Sequence, residues 1–114
     1  MSEDDLNLEL VRFLQDHPDG WSHDDWLRLL FQLSEQGYDT ADEDRIGLAL
    51  ERQRLTRALA GRKLKGLGPR RIEAVAEHFK TLWNLRDASL DEVARVSGVP
   101  KALARSIVES FRAP

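Results

Sequence analysis

Leu6, Leu10, Phe13 and Leu14 recur at intervals of three and four residues, which predicts an amphipathic helix over about residues 4–15. His17-Pro18-Asp19-Gly20 ends it, because proline lacks an amide donor and glycine admits positive φ. Ser22 followed by Asp25 reads as an N-cap with acidic support, and Trp26, Leu27, Leu29, Leu30 and Leu33 carry a second helix towards Gly37. Thr40 with Glu43 predicts a capping box for a third, longer helix through Ile46, Leu50, Leu55 and Leu59 to Gly61. Gly47 costs that helix about 1 kcal/mol relative to alanine and predicts a kink or a boundary there. Trp26 and Trp83, set among leucines at helical spacing, are expected in the core; Trp21, beside Gly20, fits either packing or stacking on a base. No alternating apolar and polar run of strand length occurs, so the expected fold is all-α.

Composition narrows the class without changing the fold. The chain has 114 residues, 41% hydrophobic and 32% charged, which suits one compact domain or two very small ones. No apolar run approaches the length of a membrane span, and the acidic start is unlike a signal peptide, so a cytoplasmic location is expected. The absence of cysteine excludes disulfides, thiolate nucleophiles and cysteine-ligated metal.

Charge divides the chain in two. Residues 1–50 hold thirteen Asp/Glu against three arginines, a net of −10, whereas residues 51–114 hold fourteen Lys/Arg against seven Asp/Glu, a net of +7. The expected organisation is therefore an acidic helical segment (1–50) and a basic one (51–114), which either neutralise each other by packing or serve different partners.

The basic segment contains one short unit twice. Leu64-Lys65-Gly66-Leu67-Gly68-Pro69-Arg70-Arg71-Ile72 places a glycine turn before a helix whose first residue is proline, where a missing donor costs nothing. Val96-Ser97-Gly98-Val99-Pro100-Lys101-Ala102 repeats the pattern after a short helix capped by Ser89. In each, the apolar residue (Leu67, Val99) is expected to plug the core while backbone amides at the helix start face outward. Such amides carry partial positive charge and hold phosphate oxygens. Lys65, Arg70 and Arg71 flank the first turn, and Lys101 and Arg105 the second, an arrangement suited to a two-point clamp on a phosphate backbone. Pro100, standing where the first unit has Gly68, is expected to remove one amide from the second turn.

Gly66-Leu67-Gly68-Pro69-Arg70 resembles a helix-hairpin-helix motif. The pair, with its connector Leu82-Trp83-Asn84-Leu85-Arg86-Asp87-Ala88-Ser89-Leu90-Asp91-Glu92-Val93, resembles the tandem helix-hairpin-helix domain found at the C-terminus of the bacterial excinuclease of nucleotide-excision repair. The likeness covers about Leu55 to Phe111; the first 50 residues lie outside it. It implies sequence-tolerant DNA binding across the minor groove, often favouring junctions of duplex and single strand. Carried over, the backbone contacts would come from Gly66, Leu67, Gly68, Gly98 and Val99, and side-chain contacts from Lys65, Arg70, Arg71, Lys101 and Arg105. In that family the hairpins bring a partner enzyme to DNA and perform no chemistry.

Catalysis finds no support in the residues. His17, His23 and His78 lack a metal-ligand rhythm, and Asp39, Asp42, Glu43 and Asp44 fit a helix N-terminus better than a calcium loop. No cofactor is implied. Arg52, Arg54, Arg57, Arg62 and Lys63 either extend a DNA track or form a solvated face paired with acids. The acidic segment has a helix-turn-helix-like spacing but the wrong charge to read DNA, so docking of a protein partner, or covering of the basic half, suits it better. The expected function is DNA binding in repair or recombination; the rival is a protein-interaction or dimerisation module.

Overall fold

The computed structural model describes residues 3–112; the outermost residues of the two predicted segments, 1–2 and 113–114, lie outside it. Seven helices follow one another: α1 (Glu3–Asp16), α2 (His23–Glu35), α3 (Glu43–Gly61), α4 (Pro69–Phe79), α5 (Leu82–Asp87), α6 (Leu90–Ala94) and α7 (Lys101–Arg112). No strand occurs among the described residues, so the chain is all-α. The helices form two compact units, Met1–Gln53 and Arg54–Pro114.

The first unit is built from α1, α2 and the start of α3 around Leu10, Phe13, Leu14, Leu29, Leu30, Leu33, Ile46 and Leu50. Ser22 caps α2 as its spacing predicts: its hydroxyl accepts the Asp25 N–H at 3.1 Å, and the Asp25 carboxylate accepts the Ser22 N–H at 3.0 Å. That backbone amide, with the Ser22 hydroxyl, holds the Asp25 carboxyl below the usual carboxylate range. Trp26 is half-buried against this core, and Trp21 packs edge-on to Phe13 with ring centroids 5.5 Å apart, so Trp21 serves packing.

The start of α3 differs from the predicted box. The helix begins at Glu43, so the capping position falls on Asp42, whose carboxylate accepts the Arg45 N–H at 3.1 Å; Thr40 is two residues too early to reach it. Gly47 does not end the helix, which continues to Gly61. The change comes later: Ile46 and Leu50 belong to the first core, Leu55 and Leu59 to the second, and the step from Leu50 to Leu55 breaks the four-residue stripe.

The second unit closes α4–α7 and the end of α3 on one core. Val75, Val93, Ala104 and Ile107 are fully buried or nearly so, with Ile72, Phe79, Leu82, Leu85 and Leu103 around them. Truncating Ile107 to alanine would cost about 2–5 kcal/mol through lost transfer energy and the cavity left behind. The short connector helices are held at their starts. Thr81 accepts the Asn84 N–H at 3.1 Å, and Ser89 with Glu92 makes a reciprocal capping box. Trp83 is not a core residue. Leu82 and Leu85 turn α5 inward, which leaves the intervening Trp83 on the outer face, 71% exposed.

Candidate nucleic-acid interface

Each repeated unit becomes a helix, a tight turn and a second helix. In the first, Gly66 takes φ +88° and the Leu67 N–H donates back to the Leu64 carbonyl at 3.1 Å. In the second, Gly98 takes φ +84° and the Val99 N–H donates to the Val96 carbonyl, also at 3.1 Å. Positive φ favours glycine at both positions, since a Cβ there crowds its own backbone. Leu67 is half-buried against the core and Val99 is buried, so both plugs sit where the sequence places them.

The helices then start in phase. Gly68 is the N-cap of α4, with Pro69 at the first position, and its carbonyl accepts the Ile72 N–H at 3.0 Å. The Pro100 carbonyl accepts the Ala104 N–H at 2.9 Å, which makes Pro100 the cap of α7. The amides of a helix's first turn have no intrahelical acceptor and point along the axis, so each hairpin ends in a cluster of outward N–H donors.

Lys65, Gly66, Gly68 and Arg70 are exposed around the first turn; Gly98, Lys101 and Arg105 are exposed around the second. An open concavity of about 630 Å³ at the first hairpin is lined by Leu64, Gly66, Leu67, Gly68, Pro69, Arg70 and Arg71. Arg105 lies one turn beyond Lys101 on α7. Arg71 has a use that its position in the sequence does not disclose. Its Nε–H donates to the Gly98 carbonyl at 2.8 Å and its Nη1 donates to the Gly66 carbonyl at 2.6 Å, so one side chain joins both turns.

The arginines before the first hairpin do not form a uniform track. Arg52 and Arg54 are half-buried, Arg57 is exposed, and the Arg62 guanidinium lies 4.4 Å from the centre of the Phe111 ring. Two lysines adopt backbone conformations that nothing in their local sequence announces: Lys63 at φ +51° and Lys80 at φ +69°. Lys80 is the centre of a three-residue γ-turn in which the Thr81 N–H donates to the Phe79 carbonyl at 2.8 Å. Among the described residues no three His, Asp or Glu side chains converge as a metal site, and no helix is long and apolar enough to cross a membrane.

Comparison with known proteins agrees with this geometry. Residues 57–113 match the family described as the SAM-like helix-hairpin-helix tandem. The UvrABC system protein C of Streptococcus gordonii is 44% identical over 48 residues, which is 42% of this chain and 8% of that protein. A DNA ligase of Thermomicrobium roseum is 31% identical over 110 residues, 96% of this chain and 15% of the ligase. The chain thus spans a small fraction of either relative, and the ligase similarity extends across the acidic unit as well. No solved structure matches it. With two glycine turns of matching backbone on one helical core, and the family match covering both, the chain belongs to the SAM-like tandem helix-hairpin-helix family.

Proposed function

We propose that this chain binds DNA without reading its sequence, gripping the phosphate backbone with its two hairpins. The observation that carries this reading is the paired geometry. Two turns of the same backbone each present first-turn amides, with Lys65 and Arg70 exposed beside one and Lys101 and Arg105 beside the other. Amide donors and cations at both points favour phosphate oxygens, and the turns carry few groups able to discriminate base edges. The relatives named for UvrABC and DNA ligase suggest a setting in DNA repair, and with it the cytoplasm. The chain acts as a binding module, not as a catalyst, and its preferred substrate is a junction of duplex and single strand.

Fluorescence anisotropy on duplex, single-stranded and splayed DNA at several salt concentrations tests this. Four phosphate contacts give a log–log salt slope of about −3.6 on duplex DNA. Salt-dependent binding strongest on the splayed form is expected; absence of binding to every form would overturn the proposal.

A second reading concerns the acidic unit, which we propose docks a protein. On α2, Phe31 is 66% exposed and Leu27, four residues earlier, is 46% exposed, an apolar pair on one helix face. Association that persists at high salt and disappears in Phe31→Ser would support it.

A further inference from the structure

The turn glycines Gly66 and Gly98 are far apart in the sequence, yet their carbonyls share one donor. Arg71 Nε–H donates to Gly98 at 2.8 Å and Arg71 Nη1 to Gly66 at 2.6 Å. A Cβ built on Gly66 would stand 3.6 Å from Nη1, so the guanidinium rests directly against that turn. The consequence lies in the peptide planes. The Gly66–Leu67 plane is tied at its N–H to Leu64 and at its C=O to Arg71; the Gly98–Val99 plane is tied at its N–H to Val96 and at its C=O to Arg71. A peptide unit is rigid, so a plane fixed at both ends anchors the chain immediately before the amides that follow it. Those are the amides at the starts of α4 and α7.

From this we infer that Arg71 is the positioning residue of the clamp. It fixes the spacing and mutual orientation of the two hairpins, so that both engage one DNA molecule together. It acts through the hairpins, beyond any charge it adds. Two of its five N–H groups are committed to carbonyls, which a planar guanidinium serves from separate nitrogens; a lysine offers one nitrogen on a flexible stem and no such span. Holding two weak sites in register converts the second contact into an intramolecular one, and its loss removes that gain. This inference rests on the hairpins being a DNA clamp.

The test is a double-mutant cycle by anisotropy on splayed DNA. Arg71→Lys keeps the charge and breaks the bridge. It is expected to weaken binding about tenfold, as much as Arg71→Met, because the gain from simultaneous engagement is lost in both. Lys101→Met, costly in the wild-type background, is expected to add less than about twofold once Arg71 is lysine, since the second hairpin is already out of register. An independent phosphate ligand behaves otherwise. Arg71→Lys would then bind nearly as wild type and the two losses would multiply, and either result overturns the inference. Amide NMR of the DNA-free Arg71→Lys protein provides the structural half. The Leu67 and Val99 resonances should move together while those of Val75 and Ile107 in the core stay; unmoved hairpin amides overturn it. If the wild-type chain binds no DNA, the clamp reading fails by itself, and the amide shifts still decide whether Arg71 couples the hairpins.

Discussion

The two hairpins reach the same backbone with different residues. Gly66 and Gly98 take φ +88° and +84°, and the amide after each returns to the carbonyl three residues back at 3.1 Å in both. The proline differs. It stands inside the helix in the first hairpin, as Pro69, and at the cap in the second, as Pro100. Sliding it by one residue conserves the donors: Gly68, Arg70 and Arg71 supply outward amides in one turn, and Lys101, Ala102 and Leu103 in the other. The amide that Pro100 removes is therefore matched by the one that Pro69 removes. Side chains tell the turns apart more than amides do. The position of Arg71 is taken in the second hairpin by Leu103, which is buried, so the arginine that reaches across to the other turn belongs to the first hairpin.

This equivalence can be broken on purpose. The largest effect is expected from replacing Lys65, Arg70 and Lys101 together by methionine, which should weaken DNA binding about 100-fold or more and make the salt slope shallower by about 2.7. Anisotropy at several salt concentrations measures both, and unchanged circular dichroism guards against unfolding. An unaltered slope would mean that these cations do not meet phosphates.

Next come the glycines. Gly66→Ala and Gly98→Ala should each destabilise the second unit by about 1–3 kcal/mol, because both impose positive φ on a residue with a Cβ. Urea denaturation should give similar losses for the two; a neutral Gly98→Ala would show that the second turn relaxes where the first does not.

Pro100→Gly adds an amide at the cap without touching a charge, and is expected to tighten binding by about two- to tenfold, the net value of one hydrogen bond in water. A larger gain would mean that Pro100 mutes the second hairpin. The connector between the hairpins gives the smallest effect. Lys80→Gly, at φ +69°, should stabilise the fold by up to about 1 kcal/mol, seen as a raised thermal midpoint, by relieving backbone strain. DNA affinity should stay put.

Much of this was legible in the residues, for local reasons. Helical periodicity and the absence of strand alternation determined an all-α chain, and Ser22, Ser89 and the hairpin glycines act within three or four residues of themselves. Local patterns misled where two neighbouring signals competed. Thr40 and Asp42 both suit a cap, and the helix start chose Asp42. Trp83 stands among leucines, yet Leu82 and Leu85 take the inward positions on α5 and leave it outside. A short helix offers too few turns for its periodicity to say which neighbour faces the core.

What tertiary structure alone decided is the link between the turns. Nothing in the order of residues marks Arg71 apart from Arg70, since both follow the same proline with the same charge. Arg71 meets Gly98 across a separation of 27 residues because the closed core brings the second turn beside α4. Sequence sets φ and local hydrogen bonds, which depend on adjacent atoms; the partner of a long cation depends on which distant carbonyl the packed core delivers to it.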